Sequence, residues 1–463
     1  MAETKSGHAD VRWSGTMSPI TSSTRILAVG VALVLGAGLT ACSTSTASGT
    51  SSSSSAASAA LAADGFWDSS AVHDIALEVD DSALSEAIET YLDSGEKVWV
   101  TATVTIDGET FTNVGLKLKG NSSLRGISAD DDPATLPWII RLDEYVDGQS
   151  LDGETEFVVR GNTSESSLNE GVALTLLADS GLASQAAVSS RFSVNGSDET
   201  LRLVVQNPGD EWDASAFGDD GGLLYKAESG GDYSYRGDDP EAYVDVFEQE
   251  AGDDELTPLI EFLQFINESD DATFAADLDQ VLDVESFATY LAFQDLVDNF
   301  DDIDGPGNNS YLHYDPETGL MTVVSWDLNR AFGARNGGPD GGAGGDQGGG
   351  GGPTGDMPAR ETTDATDAAD ATDAAAGGAG GAARGAGGGM VGGNILSERF
   401  LENDDFAALV DTASAELTAS LYDSGRAQEI LDAWTATLES QASDLIDVAT
   451  LQSDADAVAA YLD

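Results

Sequence analysis

Residues 298–333 read DNFDDIDGPGNNSYLHYDPETGLMTVVSWDLNRAFG, and the order of parts in that stretch decides how the rest of the chain is read. A polar loop comes first, with four aspartates (Asp298, Asp301, Asp302 and Asp304) and two asparagines (Asn308 and Asn309). A short apolar run at 311–314 follows, then the turn Asp315-Pro316-Glu317-Thr318-Gly319, then a second run at 320–325 that ends at Trp326-Asp327. Two strands joined by a tight turn form a hairpin, so residues just before the first and just after the second lie at one end. Asn309 and Asp327 are therefore expected side by side, as oxygen ligands for a hard cation. Mg²⁺ takes one or two carboxylates together with substrate phosphates. A loop of this composition is by itself most often a solvated turn. An EF-hand calcium loop is excluded, because Gly305 at the sixth position puts Phe300 and Tyr311 where carboxylates are required.

Protein kinases use the same order: a catalytic aspartate, a metal-binding asparagine a few residues later, a short hairpin, then a metal-binding aspartate. The His-Arg-Asp and Asp-Phe-Gly strings of ordinary kinases are absent. Asn299-Phe300-Asp301, Asn309-Ser310-Tyr311-Leu312 and Trp326-Asp327-Leu328-Asn329 resemble instead the corresponding segment of the CotH family of spore-coat kinases, which are atypical kinases. The resemblance implies that Asn309 and Asp327 hold Mg²⁺ or Mn²⁺ and that a loop aspartate accepts the hydroxyl proton. Asp301 matches the family's Asn-x-Asp, while Asp304 stands five residues before Asn309, the ordinary kinase spacing. Both are candidates.

The 463 residues carry 83 Asp and Glu against 19 Lys and Arg, a formal net charge of -64. Such a surface repels the phosphates of nucleic acids and anionic membranes, so nucleic-acid binding is the function class most firmly disfavoured. A hydrophobic fraction of 41% is ample for a core. Against this acidic background, Lys117, Lys119, Arg125, Arg141 and Arg160 gather in one short region, where phosphate binding is expected.

At the N-terminus, Arg25 precedes an apolar run at 26–35 that is too short to span a bilayer and ends in small residues, the arrangement of a cleaved export signal (1–41). Leu39-Thr40-Ala41-Cys42 resembles a bacterial lipobox, which implies a lipid at Cys42, the only cysteine. Residues 42–63 are a Ser/Thr/Ala-rich tether. Strands are expected at 75–79, 98–106, 111–119, 137–143, 156–159 and 201–205, with a helix at 82–92 capped by Ser82 and another from Ser167 to Ala178. On the strand at 111–119, Val114, Leu116 and Leu118 share one face and Lys117 and Lys119 the other.

That strand leads into Gly120-Asn121-Ser122-Ser123-Leu124-Arg125-Gly126, which lacks the Gly-Lys-Ser/Thr end of a Walker loop. It resembles the Gly-Asn-Ser-Ser of CotH proteins, which implies a phosphate-covering loop in which Gly120, Asn121, Ser122, Ser123 and Arg125 meet the nucleotide. The resemblance also implies that Arg141 stands where the family has its phosphate-binding lysine, and that Glu170 on the following helix pairs with it. Arginine for lysine at such a position is a departure. Gln206-Asn207-Pro208 is the candidate hinge beside an adenine pocket.

Helices are expected at 241–249, 256–266, 272–282 and 284–297. Residues 336–393 form a Gly/Asp/Ala-rich insert expected to be disordered. Three further helices (405–421, 427–448 and 455–462) belong to a segment at 394–463 expected to pack on the kinase-like domain at 64–335. The expected fold is α+β and bilobal, an N-terminal antiparallel sheet lobe followed by a helical lobe. The expected activity is transfer of the ATP γ-phosphoryl group to Ser or Thr of proteins, by an exported enzyme lipid-anchored at the outer face of the membrane. Two rivals remain: a pseudokinase that binds nucleotide without turnover, and a structural envelope protein that binds divalent cations.

Overall fold

Alternation of buried and exposed side chains along β1 (Val72–Val79) and β2 (Val100–Ile106) marks strands with one face on a core. Five more follow: β3 (Glu109–Leu118), β4 (Trp138–Arg141), β5 (Glu156–Val159), β6 (Ala187–Val194) and β7 (Thr200–Gln206). The computed structural model describes residues 65–120, 122–218, 221–228, 230–305, 308–334 and 393–462. The expected export signal, the lipidated Cys42, the tether, Asn121, the side chain of Ser122 and all of the insert but Gly393 lie outside those residues.

The seven strands close into a barrel in the order β1-β2-β3-β4-β5-β7-β6. The sequence leads one to expect an antiparallel sheet lobe. The barrel differs because β6, absent from the sequence reading, pairs in parallel with β1 and joins the two ends. Closure leaves the sheet no edge to protect. Val114, Leu116 and Leu118 do share the inward face of β3, alongside Trp138, Ile140, Phe157 and Phe192 in the barrel core.

A second sheet runs β11-β10-β8-β9, built from β8 (Leu223–Ala227), β9 (Phe247–Ala251), β10 (Ser310–Asp315) and β11 (Leu320–Ser325). One face, with Tyr225, Leu312 and Val323, packs on a helical core. The other face carries Leu224, Tyr311 and Val324 with Trp326. The helix expected at 241–249 is therefore wrong: a single 3-10 turn at Pro240–Ala242 leads into β9, whose pairing with β8 overrides the local helical spacing.

Ten α-helices complete the described residues: α1 (Asp81–Ser94), α2 (Leu168–Asp179), α3 (Asp210–Phe217), α4 (Thr257–Glu268), α5 (Asp271–Asp277), α6 (Val284–Leu296), α7 (Ile395–Glu402), α8 (Asp404–Leu417), α9 (Arg426–Gln441) and α10 (Val448–Ala459). Asp80, not Ser82, caps α1, accepting from the backbone N–H groups of Ser82 and Ala83. The mixed α+β class is as expected. None of these helices is long and apolar enough to cross a membrane.

Helix α2 is buried nearly all round, as a helix between two packed layers must be. The barrel strands lie on one side and α9 on the other, where the Trp434 ring sits 3.1 Å from the point a Cβ on Gly171 would occupy. Trp434 also donates its indole N–H to the Thr175 hydroxyl at 3.1 Å. This packing fixes the helix that carries Glu170.

Candidate phosphate-transfer site

The β10–β11 hairpin has the register the sequence implies, with Ser310 opposite Ser325 and Asp315 opposite Leu320. Asp315 closes the turn by accepting from the Glu317 N–H at 2.8 Å and the Thr318 hydroxyl at 2.7 Å. Asn309 and Trp326-Asp327 consequently leave the hairpin at the same end. Asn309 donates its amide N–H to the Asp301 carbonyl at 2.8 Å, which draws the acidic loop onto that end.

The backbone here is unusual. Of ten described non-glycine residues with positive φ, four (Asp298, Asn308, Asp327 and Phe332) lie in this segment. Asp327 itself is left-handed, at φ 58° and ψ 60°, and starts a 3-10 turn at Leu328–Arg330. Left-handed residues other than glycine cost free energy and cluster at functional sites.

Asp327 presents its carboxylate to the guanidinium of Arg160. Arg160, at the end of β5, also grips Glu170 on α2, through Nε at 3.1 Å and Nη2 at 2.8 Å. The Arg160 and Glu170 side chains are 10% and 5% exposed, so this ion pair is held away from water. Arg202 holds the assembly from behind. Its buried guanidinium donates to the Arg160 carbonyl at 3.0 Å and to Ala134 and Leu136 carbonyls, and burial pushes its pKa down to about 10.

The pairing expected between Arg141 and Glu170 is thus made by Arg160. Arg141 lies outside the barrel, because Trp138 and Ile140 take the inward positions of β4. Its side chain is 43% exposed and engages Asp143 at 3.1 Å, Glu144 at 3.8 Å and Glu156 at 3.3 Å. Arg160 stands among the clustered basic residues of the sequence, but its two partners lie 10 and 167 residues away, beyond any local pattern.

The two candidate bases have different surroundings. Asp301 meets Arg330 Nε at 3.2 Å and is 13% exposed. Arg330 was not singled out, although it stands three residues after Asp327. Asp304 accepts from the Asn394 N–H at 2.8 Å and from the Ser397 hydroxyl, and so anchors the start of α7.

The glycine loop reaches the same place. Gly120 has φ 96°, and a Cβ on it would collide with the Ser123 hydroxyl. Ser123 in turn lies 3.2 Å from the Cβ position of Gly161, next to Arg160. Ser123 and Arg125 are exposed. Lys119 and Arg160 both approach the Trp326 ring, at 6.0 Å and 5.6 Å from its centroid. The candidate hinge also lines this cleft, since Asn207 donates to Glu156 at 2.6 Å and accepts from Lys119 at 3.5 Å.

Burial dominates the electrostatics of the cleft. It pushes Lys119 down to about 8, with Lys226 adding repulsion, and pushes Glu250 up to about 7 against the pull of Lys119. A carboxyl raised on folding contributes stability below its ordinary 4.5 that is lost as pH rises toward 7. A lysine lowered on folding contributes stability above its ordinary 10.5 that is lost as pH falls toward 8. The cleft is therefore least stabilising between about 7 and 8. Glu250→Gln is expected to flatten the fall in melting temperature between pH 4.5 and 7; parallel pH profiles for parent and variant would contradict this.

Two features fit a nucleotide with a metal ion. The Tyr311 hydroxyl is buried without a hydrogen-bond partner among the described residues, beside Glu250 and Glu228. It is a spare donor. No group of three or more His, Cys, Asp or Glu side chains among the described residues could hold a metal unaided. One carboxylate, Asp327, and one amide oxygen, that of Asn309, instead suit an ion that shares its shell with phosphate. Arg160 between Glu170 and Asp327 leaves one negative charge uncompensated, which disfavours a bare polyphosphate and favours one that arrives with a divalent cation.

A family model described as CotH kinase protein matches residues 116–452. No match was found among curated proteins.

Proposed function

The chain belongs to the CotH kinase family, and on that premise we propose that it transfers the γ-phosphoryl group of ATP to Ser or Thr hydroxyls of proteins. Family membership points in general to ATP and a divalent metal. The observation that carries the reading further is the single guanidinium of Arg160 bridging Glu170 and Asp327, the place where a kinase couples its phosphate-binding cation to a helix glutamate.

In this reading the barrel and the helical part are the two lobes of an atypical kinase, and the nucleotide lies between them. Arg160 and Lys119 meet the phosphates from the barrel side, beneath the loop of Gly120 to Arg125. Asn309 and Asp327 are the residues that hold Mg²⁺ or Mn²⁺, which supplies charge neutralisation to the phosphates when bound. Asp301 takes the proton of the acceptor hydroxyl as its oxygen bonds to the γ-phosphorus, and the bond to the β–γ bridging oxygen breaks to release ADP. Arg330, with Nε 3.2 Å from the Asp301 carboxylate, keeps it aimed. Residues 1–41 and Cys42 place the enzyme outside the cell on a lipid anchor, facing protein substrates of the surface or spore-coat type.

The expected result is transfer of label from γ-labelled ATP to an acceptor protein by the full chain with Mg²⁺ or Mn²⁺. Asp301→Asn should slow it by about 10²–10⁴-fold, the usual worth of a general base, while ATP binding persists. A variant that transfers label at the parent rate would remove Asp301 from the mechanism. One observation favours the pseudokinase as the second reading: the contact that Arg160 already makes with Asp327. ATP binding by the parent with no transfer to any acceptor would select it.

A further inference from the structure

A cavity of about 850 Å³ lies at the turn end of the β10–β11 hairpin, opposite the end that carries Asn309 and Asp327. It is walled by the segment after α2, the end of α3, the start of α6 and the hairpin turn. None of Arg160, Glu170, Asn309 or Asp327 reaches it.

Its most distinctive wall residue is His313, 3% exposed and unused by the phosphate-transfer site. The Nδ1 of His313 lies 2.8 Å from Asp213 Oδ1, and Phe217 stacks on the ring at 3.8 Å and 8°. Gly222 covers the next corner, since a Cβ there would stand 2.5 Å from His313 Cε1. Neither Asp213 nor Gly222 lines the cavity, so the edge that faces it is the Nε2 edge. Asp213 takes the Nδ1 side, so the Nδ1–H tautomer leaves the Nε2 lone pair to the cavity. That atom has no partner among the described residues.

The remaining wall has the same polarity. Seven of its ten side-chain donors, the His313 Nδ1–H among them, are spent within the protein. The hydroxyls of Ser180, Ser184 and Thr289 go to backbone carbonyls and that of Thr318 to Asp315, while Gln206 donates to Glu154 and Trp212 to the Ser184 carbonyl. Asp283, Glu285 and Asp315 face the cavity, and among the described residues no Lys or Arg does. A wall of acceptors selects a ligand rich in donors.

We propose that this cavity binds a small molecule through a protonated amine, with His313 Nε2 and the wall carboxylates as acceptors. Phe217 and Trp212, edge to face at 5.9 Å, supply the aromatic surface that favours an organic cation. The volume suits a ligand of drug size.

Titration calorimetry on the full chain with tryptamine, and with its uncharged counterpart tryptophol, tests this. Salt of about 0.15 M screens diffuse attraction to the acidic surface. Saturable one-to-one binding is expected, with the amine about tenfold tighter than the alcohol or more. His313→Gln should weaken the amine by a similar factor. Asp283→Asn should do so too, with the melting temperature unchanged, because asparagine caps α6 as well as aspartate does. Equal binding of amine and alcohol, no binding of tryptamine, or amine binding that neither substitution weakens would overturn the proposal.

Discussion

Arg160→Ala is expected to destabilise the protein by roughly 3–5 kcal/mol, the cost of removing one partner from a buried ion pair. Glu170, with its side chain 5% exposed, would be left without its cation in the same pocket as Asp327. Like charges in that setting repel and find little water to solvate them. Arg160→Lys should recover part of the stability and little of the phosphate-transfer activity. An ammonium group cannot present Nε and Nη2 together to two carboxylates as the guanidinium does. Denaturant titration of the three proteins measures the effect. An alanine variant within about 0.5 kcal/mol of the parent, the range of an ordinary surface substitution, would mean that the bridge is a surface ion pair of no structural weight.

The second large effect is expected at Asp327. Asp327→Asn keeps a residue type that tolerates the left-handed backbone at φ 58° and removes the carboxylate proposed to hold the metal. Phosphoryl transfer should fall by about 10³-fold or more, equivalent to about 4 kcal/mol of transition-state stabilisation. Stability should fall far less than in Arg160→Ala, since Asp327 is 24% exposed and Arg160 keeps Glu170. A variant that transfers label as fast as the parent, with the fold intact by its melting temperature, would show that Asp327 serves the barrel and not the chemistry.

How much of this was legible in the chain depends on the range of the interaction. The hairpin was legible because Asp315 to Gly319 form a turn by local rules and short apolar runs flank it on both sides. So was the inward face of β3, which follows from a period of two. The two-ended contact of Arg160 was not, because one carboxylate is ten residues away and the other 167. Arg141 was preferred on a resemblance of position, and only the inward turn of Trp138 and Ile140 shows that it lies outside the barrel. Strand β6 escaped notice because Ser189 and Ser190 interrupt its apolar pattern. Ser190 is tolerated inside by donating to the Arg202 carbonyl at 3.2 Å, a partner that no local pattern reveals. Residues 241–249 were expected as a helix, yet β8 recruits Phe247–Ala251 as a strand.

Phosphoryl transfer at Asp327 requires that this cleft take a metal–nucleotide pair. Melting curves of the full chain with ATP, with Mg²⁺ and with both, for the parent and Asp327→Asn, measure this through the stabilisation that binding confers. A rise that grows with concentration is expected for the parent only when both are present, and none for the variant. An equal rise in both proteins, or no rise in either, would contradict it.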